Sequence, residues 1–263
     1  MRRAHWLRPN HQNEYPHDCV WFDTETLEER ASPRAVRHVL DFGMAAYRRR
    51  LRGDLWSKPK WIRFTTPNEF WQWVFGLRKG KCRLTLFCHN AAFDLPVLDA
   101  FALLPAAGWE LRTAVIDSPP VILSWRREGQ TLRVLDTLNF WRQKLALIGE
   151  TVGLPKLPMP ARGASRSTWN TYCRRDVEII MEACLRWFAF LQAHDLGGFA
   201  PTLASQAMRS FRHRFMSTRI LIDSHAEALA LARDAYLGGR VECFRLGELT
   251  GPLTLYDINS HYA

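Results

Sequence analysis

Among the six cysteines of this 263-residue chain no two form a Cys-x-x-Cys pair, and none stands with histidine in a zinc-ligand spacing. A disulfide framework and a structural zinc site are therefore not expected. Several cysteines lie in apolar runs, where the side chain acts as a small hydrophobe. No apolar run approaches membrane-spanning length, and the basic start Met1-Arg2-Arg3-Ala4-His5-Trp6 lacks the apolar segment of a secretory leader. These absences point to a soluble, cytoplasmic protein of a reducing compartment with no membrane partner. Internal repeats and low-complexity runs are also missing. Acids are in short supply: 26 Asp and Glu face 36 Lys and Arg, giving a net charge of +10. The excess is mostly arginine, as in Arg48-Arg49-Arg50 and Arg126-Arg127. Guanidinium forks suit phosphate oxygens, so a nucleic-acid partner is favoured over a merely solvated basic surface.

The segments alternate between strand-like and helix-like patterns. Strands are expected over 18–24, 35–47, 61–64, 83–88, 109–116, 121–125 and 132–135. Helices are expected over 68–78, with Pro67 in the first turn, over 95–104 and 143–152, and over a long stretch from 168 to 193. A Pro/Gly/Ser-rich loop should fill 153–166, and Gly197-Gly198 marks a domain boundary. Beyond it a basic helix (202–215), another (225–232) and a turn-rich tail follow. Residues 1–17 read as a loose basic arm, 18–197 as one α/β domain with a mixed sheet and flanking helices, and 198–263 as a separate segment.

Three fragments carry the chemistry. Phe22-Asp23-Thr24-Glu25-Thr26 ends an apolar run, and strand alternation puts Asp23 and Glu25 on one face, about 6–7 Å apart. Such a pair needs a compensating cation, although alone it is equally the polar end of a strand. His89-Asn90-Ala91-Ala92-Phe93-Asp94 joins a strand to a helix. There Asp94, with Pro96 just after it, fits an N-cap. Tyr172 and Asp176 share a helix face, where a salt bridge to Arg174 or Arg175 is the plain alternative.

In this order and spacing the three fragments resemble the Exo I, II and III motifs of the proofreading 3′–5′ exonuclease superfamily. The branch is the tyrosine-bearing one, because Thr171 stands where the other branch has histidine. The resemblance implies a ribonuclease H-like α/β fold. It implies that Asp23, Glu25, Asp94 and Asp176 hold two divalent cations, Mg²⁺ or Mn²⁺, and that Tyr172 orients the attacking water. Thr26, His89, Asn90 and Phe93 match positions that bind the terminal nucleotides of a single-stranded DNA 3′ end. Thr137-Leu138 resembles a further strand-contacting pair. Lys156 falls where a lysine neutralises the scissile phosphate, with a solvent-facing lysine as the alternative. Asp136 ends a strand but matches no ligand position.

The tail resembles another part of the same machinery. Tyr236-Leu237-Gly238-Gly239 is similar to the Tyr-x-Gly-Gly motif of family B DNA polymerases, a contact to primer–template DNA. Asp257-Ile258-Asn259-Ser260-His261-Tyr262 is similar to polymerase motif A in its protein-primed form, with Asp257 and Tyr262 as a partial polymerase site. The implied whole is the exonuclease domain and the start of the palm of a protein-primed family B polymerase. A terminal priming protein or a separate palm–thumb chain is then a further candidate partner. Since the remaining palm carboxylates are expected beyond residue 263, polymerase activity is not expected from this chain alone. An RNA 3′–5′ exonuclease and a non-catalytic DNA-binding half of a split polymerase are the alternatives.

Overall fold

The structure, a computed structural model, describes residues 3–32, 35–77, 83–117 and 119–235, and the isolated positions 247, 251, 252 and 254. The expected α/β architecture is found, organised on the apolar run Cys19-Val20-Trp21-Phe22. All four side chains are fully buried. They lie in β2 (Asp18–Ser32), which sits inside a seven-stranded sheet. Its companions are β3 (Ala35–Arg49), β4 (Lys60–Phe64), β5 (Arg83–Cys88), β6 (Glu110–Ile116), β7 (Val121–Arg127) and β8 (Gln130–Asp136). The order across the sheet is β4-β3-β2-β5-β8-β7-β6. The ladders β2–β5 and β5–β8 are parallel and the rest antiparallel, so the sheet is mixed.

Alternation along β2 feeds two cores. Val20 and Phe22 join the cluster under α1 (Pro67–Gly76), α2 (Ala91–Val97) and α3 (Ala100–Ala106). Cys19 and Trp21 join the opposite cluster, covered by the 28-residue α5 (Arg166–Ala193). A central strand covered on both faces reads as a continuous apolar run rather than an alternating one. A smaller cluster seats α4 (Leu145–Thr151) on α5 through Ile148, Val152, Ile179 and Ala183. Helix α1 starts on a full capping box: the Thr66 hydroxyl accepts from the Glu69 amide, the Glu69 carboxylate accepts from the Thr66 amide, and Pro67 follows the cap. Helix α5 is capped by the Ser165 hydroxyl, which accepts from the Thr168 amide at 3.1 Å.

Three expectations are corrected. First, β2 does not stop at Thr24: it pairs with β3 out to Ser32. Second, residues 8–17 are not a loose arm. The Gly198 amide donates to the Gln12 carbonyl, the Phe199 amide to the Glu14 carbonyl, and the Asn10 amide to the Arg212 carbonyl. Residues 8–219 therefore form one compact unit across the expected boundary at Gly197-Gly198. Third, the expected helix over 202–215 is α6 (Leu203–Ser210) followed by a π-helical turn, Phe211–Phe215. In a second unit, β1 (His5–Leu7) pairs antiparallel with β9 (Ile220–Ile222), and α7 (Ala226–Ala235) follows β9.

Gly43 shows how tightly the sheet closes around the end of the β2 run. It pairs with Thr24 on one side and Phe64 on the other. A Cβ there would meet the Phe64 ring and lie 2.8 Å from the Asp23 carbonyl oxygen. Overpacking of this kind costs about 1–3 kcal/mol. Gly43→Ala is expected to lower stability by that amount in denaturant unfolding. An unchanged midpoint would show that Phe64 can move aside.

Candidate active site

Strand β2 pairs with β5 only as far as Trp21 and runs on where β5 ends at Cys88. The opening lies at the carboxyl ends of two parallel strands, the usual place for a site in such sheets. Asp23 and Glu25 lie on the α5 face of β2, as the alternation requires, and both are half-buried. The β2–β3 ladder shifts register between Glu25 and Thr26, opposite Asp41. A bulge at this point re-aims the following side chains.

Thr24, between the two acids, faces the other way, toward α2. Its hydroxyl donates to the Asp94 carboxylate at 2.6 Å. Asp94 is 3% exposed and is not the N-cap of its helix. Asn90 holds that position, with a left-handed φ of 81° that asparagine tolerates better than most residues. The donors of this turn are met by Asp136, whose carboxylate accepts from the Asn90 amide at 3.1 Å and the Ala91 amide at 2.8 Å. Asp136 also accepts from the Leu138 amide at 2.9 Å. Asp136 thus shapes the loop that carries Asn90, Phe93 and Asp94.

From the opposite side α5 presents Tyr172, Cys173 and Asp176, all buried. Trp169 packs edge-on against Tyr172, with ring centroids 5.9 Å apart. Lys156 forms an ion pair with Asp176 and lies 4.4 Å from the Tyr172 ring centroid. It is therefore not a solvent-facing lysine. Its loop approaches α4 at Gly149, where a Cβ would come within 2.6 Å of the Leu154 carbonyl oxygen. Arg175 donates to the Pro155 carbonyl of the same loop at 3.0 Å. The plain alternative for Asp176, a salt bridge to Arg174 or Arg175, is not what the fold makes: both arginines pair with Glu178, and Asp176 pairs with Lys156.

The acids raise one another's pKa. Burial, then Asp94, Asp176 and Glu25, push Asp23 well above the usual carboxylate range. Burial and Asp176 push Glu25 up to about 7. Burial takes Asp94 to about 7 against the opposing Thr24 hydrogen bond. Burial also raises Asp176, although the Lys156 ammonium opposes it. Lys156 itself is held above its ordinary value: burial disfavours its charge, but Asp176 and Tyr172 outweigh that.

This donor set fits divalent cations. Asp23 interacts electrostatically with Glu25, Asp94 and Asp176, so four carboxylates from three segments share one charge cluster, and the buried Asp176 Oδ1 has no hydrogen-bond partner. Hard cations take such oxygen ligands and would relieve the repulsion among them. Ligand atoms of Asp23, Glu25 and Cys173 lie within 4.8 Å of one another. Burial raises the Cys173 thiol well above its ordinary pKa, so it stays protonated. It points at the Asp23 carbonyl from 3.7 Å as a weak donor.

The expected strand-contacting residues divide. Thr26 and Phe93 are joined through His38, whose Nδ1 lies 3.2 Å from the Thr26 hydroxyl and whose ring centroid lies 5.2 Å from that of Phe93. His38 and Phe93 line a cleft of about 560 Å³. Asn90 is exposed at the mouth of the α2 turn. His89 has both ring nitrogens engaged, Nδ1 with the Thr137 hydroxyl at 2.9 Å and Nε2 with the Gln143 carbonyl at 3.0 Å. Thr137 is buried and also donates to the Cys88 carbonyl, while Leu138 is half-buried. Tyr236, Gly238, Gly239, Asp257 and Tyr262 lie outside the described residues.

Thr24, His38 and Cys173 were not singled out from the sequence. Cys173 could have been found, since it lies three residues before Asp176 on the same helix face. His38 could not, because its place depends on the register of a long hairpin.

Comparison with known proteins bears on the family and the fold. Residues 165–263 match the family DNA polymerase type B, organellar and viral. No curated protein matches the chain in sequence. Among solved structures, Phi29 DNA polymerase complexed with primer–template DNA shares the fold over 86% of this chain, with a TM-score of 0.61 and 16% identity. Phi29 DNA polymerase complexed with single-stranded DNA aligns over 77% of this chain, with a TM-score of 0.53 and 16% identity. Its ternary complex with primer–template and incoming nucleotide aligns over 75%, with a TM-score of 0.52 and 17% identity. The chain spans 40%, 36% and 34% of these three polymerase chains respectively.

Proposed function

We propose that this chain carries a two-metal 3′–5′ exonuclease that trims single-stranded DNA 3′ ends, as the proofreading part of a protein-primed type B DNA polymerase. The observation that carries the reading is the convergence of Asp23, Glu25, Asp94 and Asp176 at the ends of β2 and β5, with Tyr172 and Lys156 among them. The polymerase family match over residues 165–263 and the Phi29 fold support it. So do the DNA strands bound to those Phi29 structures.

Two Mg²⁺ or Mn²⁺ ions held by the four acids would supply a lowered pKa for the attacking water and charge neutralisation at the leaving oxygen. The chain's own groups do the rest. Thr24 fixes the Asp94 carboxylate through its hydroxyl. Tyr172, buried against Trp169, holds its hydroxyl beside Lys156 and orients water there. Lys156 places a permanent positive charge where the transferred phosphoryl group gains negative charge. Phe93 and His38 offer ring faces on which an unpaired terminal base can stack, with Thr26 beside them. Tyr236, Gly238, Gly239, Asp257 and Tyr262 would serve the polymerase side on primer–template DNA.

The direct test uses 5′-labelled single-stranded DNA and a matched RNA, each with Mg²⁺ or with EDTA. Stepwise shortening of DNA from the 3′ end in Mg²⁺ only is expected. Faster shortening of RNA would overturn the choice of DNA, and no shortening of either strand would overturn the exonuclease reading.

A further inference from the structure

The other end of the sheet holds a second charged cleft, of opposite sign. Asp18 opens β2, Arg83 opens β5, and Arg49 closes β3 beside Asp18. With Arg133 of β8 and Arg209 of α6 they line a cleft of about 380 Å³, in the size range of small-ligand sites. The acidic site lies at the carboxyl ends of β2 and β5; this cleft lies at their amino ends.

Its arginines are not spent on the protein. Among the described residues, no side-chain hydrogen bond or ion pair is made by Arg49, Arg83, Arg133 or Arg209. Arg133 is half-buried on a central strand, and its Nε is fully buried with no partner. The hydroxyl of Thr85, directly across the ladder from Arg133, is likewise buried without a partner. Burial first, and then the neighbouring Arg83 and Arg209 charges, push Arg133 down to about 10. Two acids, Glu14 and Asp18, also line the cleft. Asp18 accepts a 2.6 Å hydrogen bond from the Tyr47 hydroxyl, and the arginines outnumber the acids. A solvated basic patch would splay its guanidinium groups apart in water. Here a buried N–H and like charges are gathered around one space, which is unfavourable until an anion enters.

We infer that this cleft is a phosphate-binding site, in which Arg83, Arg133 and Arg209 take the oxygens of a phosphate monoester or diester and Arg49 guards the rim. Guanidinium forks match phosphate geometry and bind it in pairs of parallel hydrogen bonds. Such a site, remote from the carboxylates, would take either a free nucleotide or the backbone of a strand passing behind the sheet. It does not rest on the exonuclease reading, since it involves none of those acids.

The test is a titration of the full chain with inorganic phosphate, in EDTA and with ionic strength held by chloride, read by calorimetry and by thermal unfolding. Saturable binding is expected, weakened roughly tenfold or more in Arg83→Gln and in Arg209→Gln. Arg83 is exposed and Arg209 half-buried, and circular dichroism checks the folding of both variants. Asp23→Asn should bind phosphate as the wild type does, which keeps this site apart from the metal site. Competition then names the source. Displacement of phosphate by a short single-stranded oligonucleotide at lower phosphate concentration than by a nucleoside monophosphate indicates a strand backbone; the reverse indicates a free nucleotide. No saturable binding in the wild type, or unchanged binding in both arginine variants, overturns the proposal.

Discussion

Asp23→Asn is expected to reduce the rate of nucleotide release from single-stranded DNA by about 10³-fold, while the metal-free protein remains folded and gains stability. The loss follows from removing one oxygen ligand at the centre of the acid group. Charge stabilisation by a bound metal is worth several kcal/mol, and about 4 kcal/mol of barrier corresponds to that factor. The gain follows from electrostatics. Asp94, Asp176 and Glu25 all push the Asp23 pKa up, so its ionised form is opposed by three neighbours. An amide of the same shape relieves that repulsion. Asp136→Asn should behave in the opposite way. Its carboxylate accepts three backbone N–H bonds and is 2% exposed. Weakening buried hydrogen bonds to a charged group costs roughly 2–3 kcal/mol. Thermal unfolding in EDTA, beside an exonuclease assay in Mg²⁺, separates the two acids. A destabilised, fully active Asp23→Asn would end the metal-site argument.

The contrast between these two acids shows where the sequence was readable. Asp136 matches no ligand position in the sequence, and its three backbone bonds supply the physical role. Asp94 was harder. Locally it fits an N-cap, but the cap of that turn comes from Asp136, whose partners are 45 and 46 residues away in sequence. Capping rules read along the chain and do not register a donor set satisfied from another strand. The strand β5 was legible as a continuous apolar run buried on both faces, and β7, β8, α1 and α5 because each buries an apolar face. The outer half of β2 was not. Leu27 to Arg30 are exposed, so no hydrophobic pattern marks them, and only the ladder to β3 keeps them extended.

Other differences have the same cause. Residues 8–17 are polar and read as loose, yet their carbonyls pair with amides near residue 198. Lys156 sits in a loop with no periodicity. Its place beside Asp176 depends on Gly149, where a missing side chain lets Leu154 approach α4, and on Arg175 bonding to Pro155. These are contacts between distant segments, and neither composition nor spacing encodes them visibly.

The acid group also predicts how stability should follow pH. In EDTA the protein is expected to be more stable near pH 5 than near pH 8. Glu25 moves from an ordinary 4.5 to about 7 in the fold, and Asp94 from 3.8 to about 7. Between the unfolded and folded values the native state keeps protons that the unfolded chain releases. Stability is thus fully present below about pH 4 for these groups and is lost as pH rises through about 7. The size is on the order of 3 kcal/mol, and the coupled groups do not add independently. His89, whose pKa burial lowers, works in the opposite direction and blunts the slope. Adding Mg²⁺ should reverse the trend, because cations bind the ionised carboxylates and compete with protons. At a hundred times its dissociation constant the ion adds about 2.7 kcal/mol, and it should do so at pH 8 far more than at pH 5. Asp23→Asn should flatten both effects. Unfolding curves at the two pH values, with and without Mg²⁺, decide the matter. A flat profile in EDTA, or an equal Mg²⁺ response at both pH values, would mean that these four carboxylates do not share one metal-binding charge cluster.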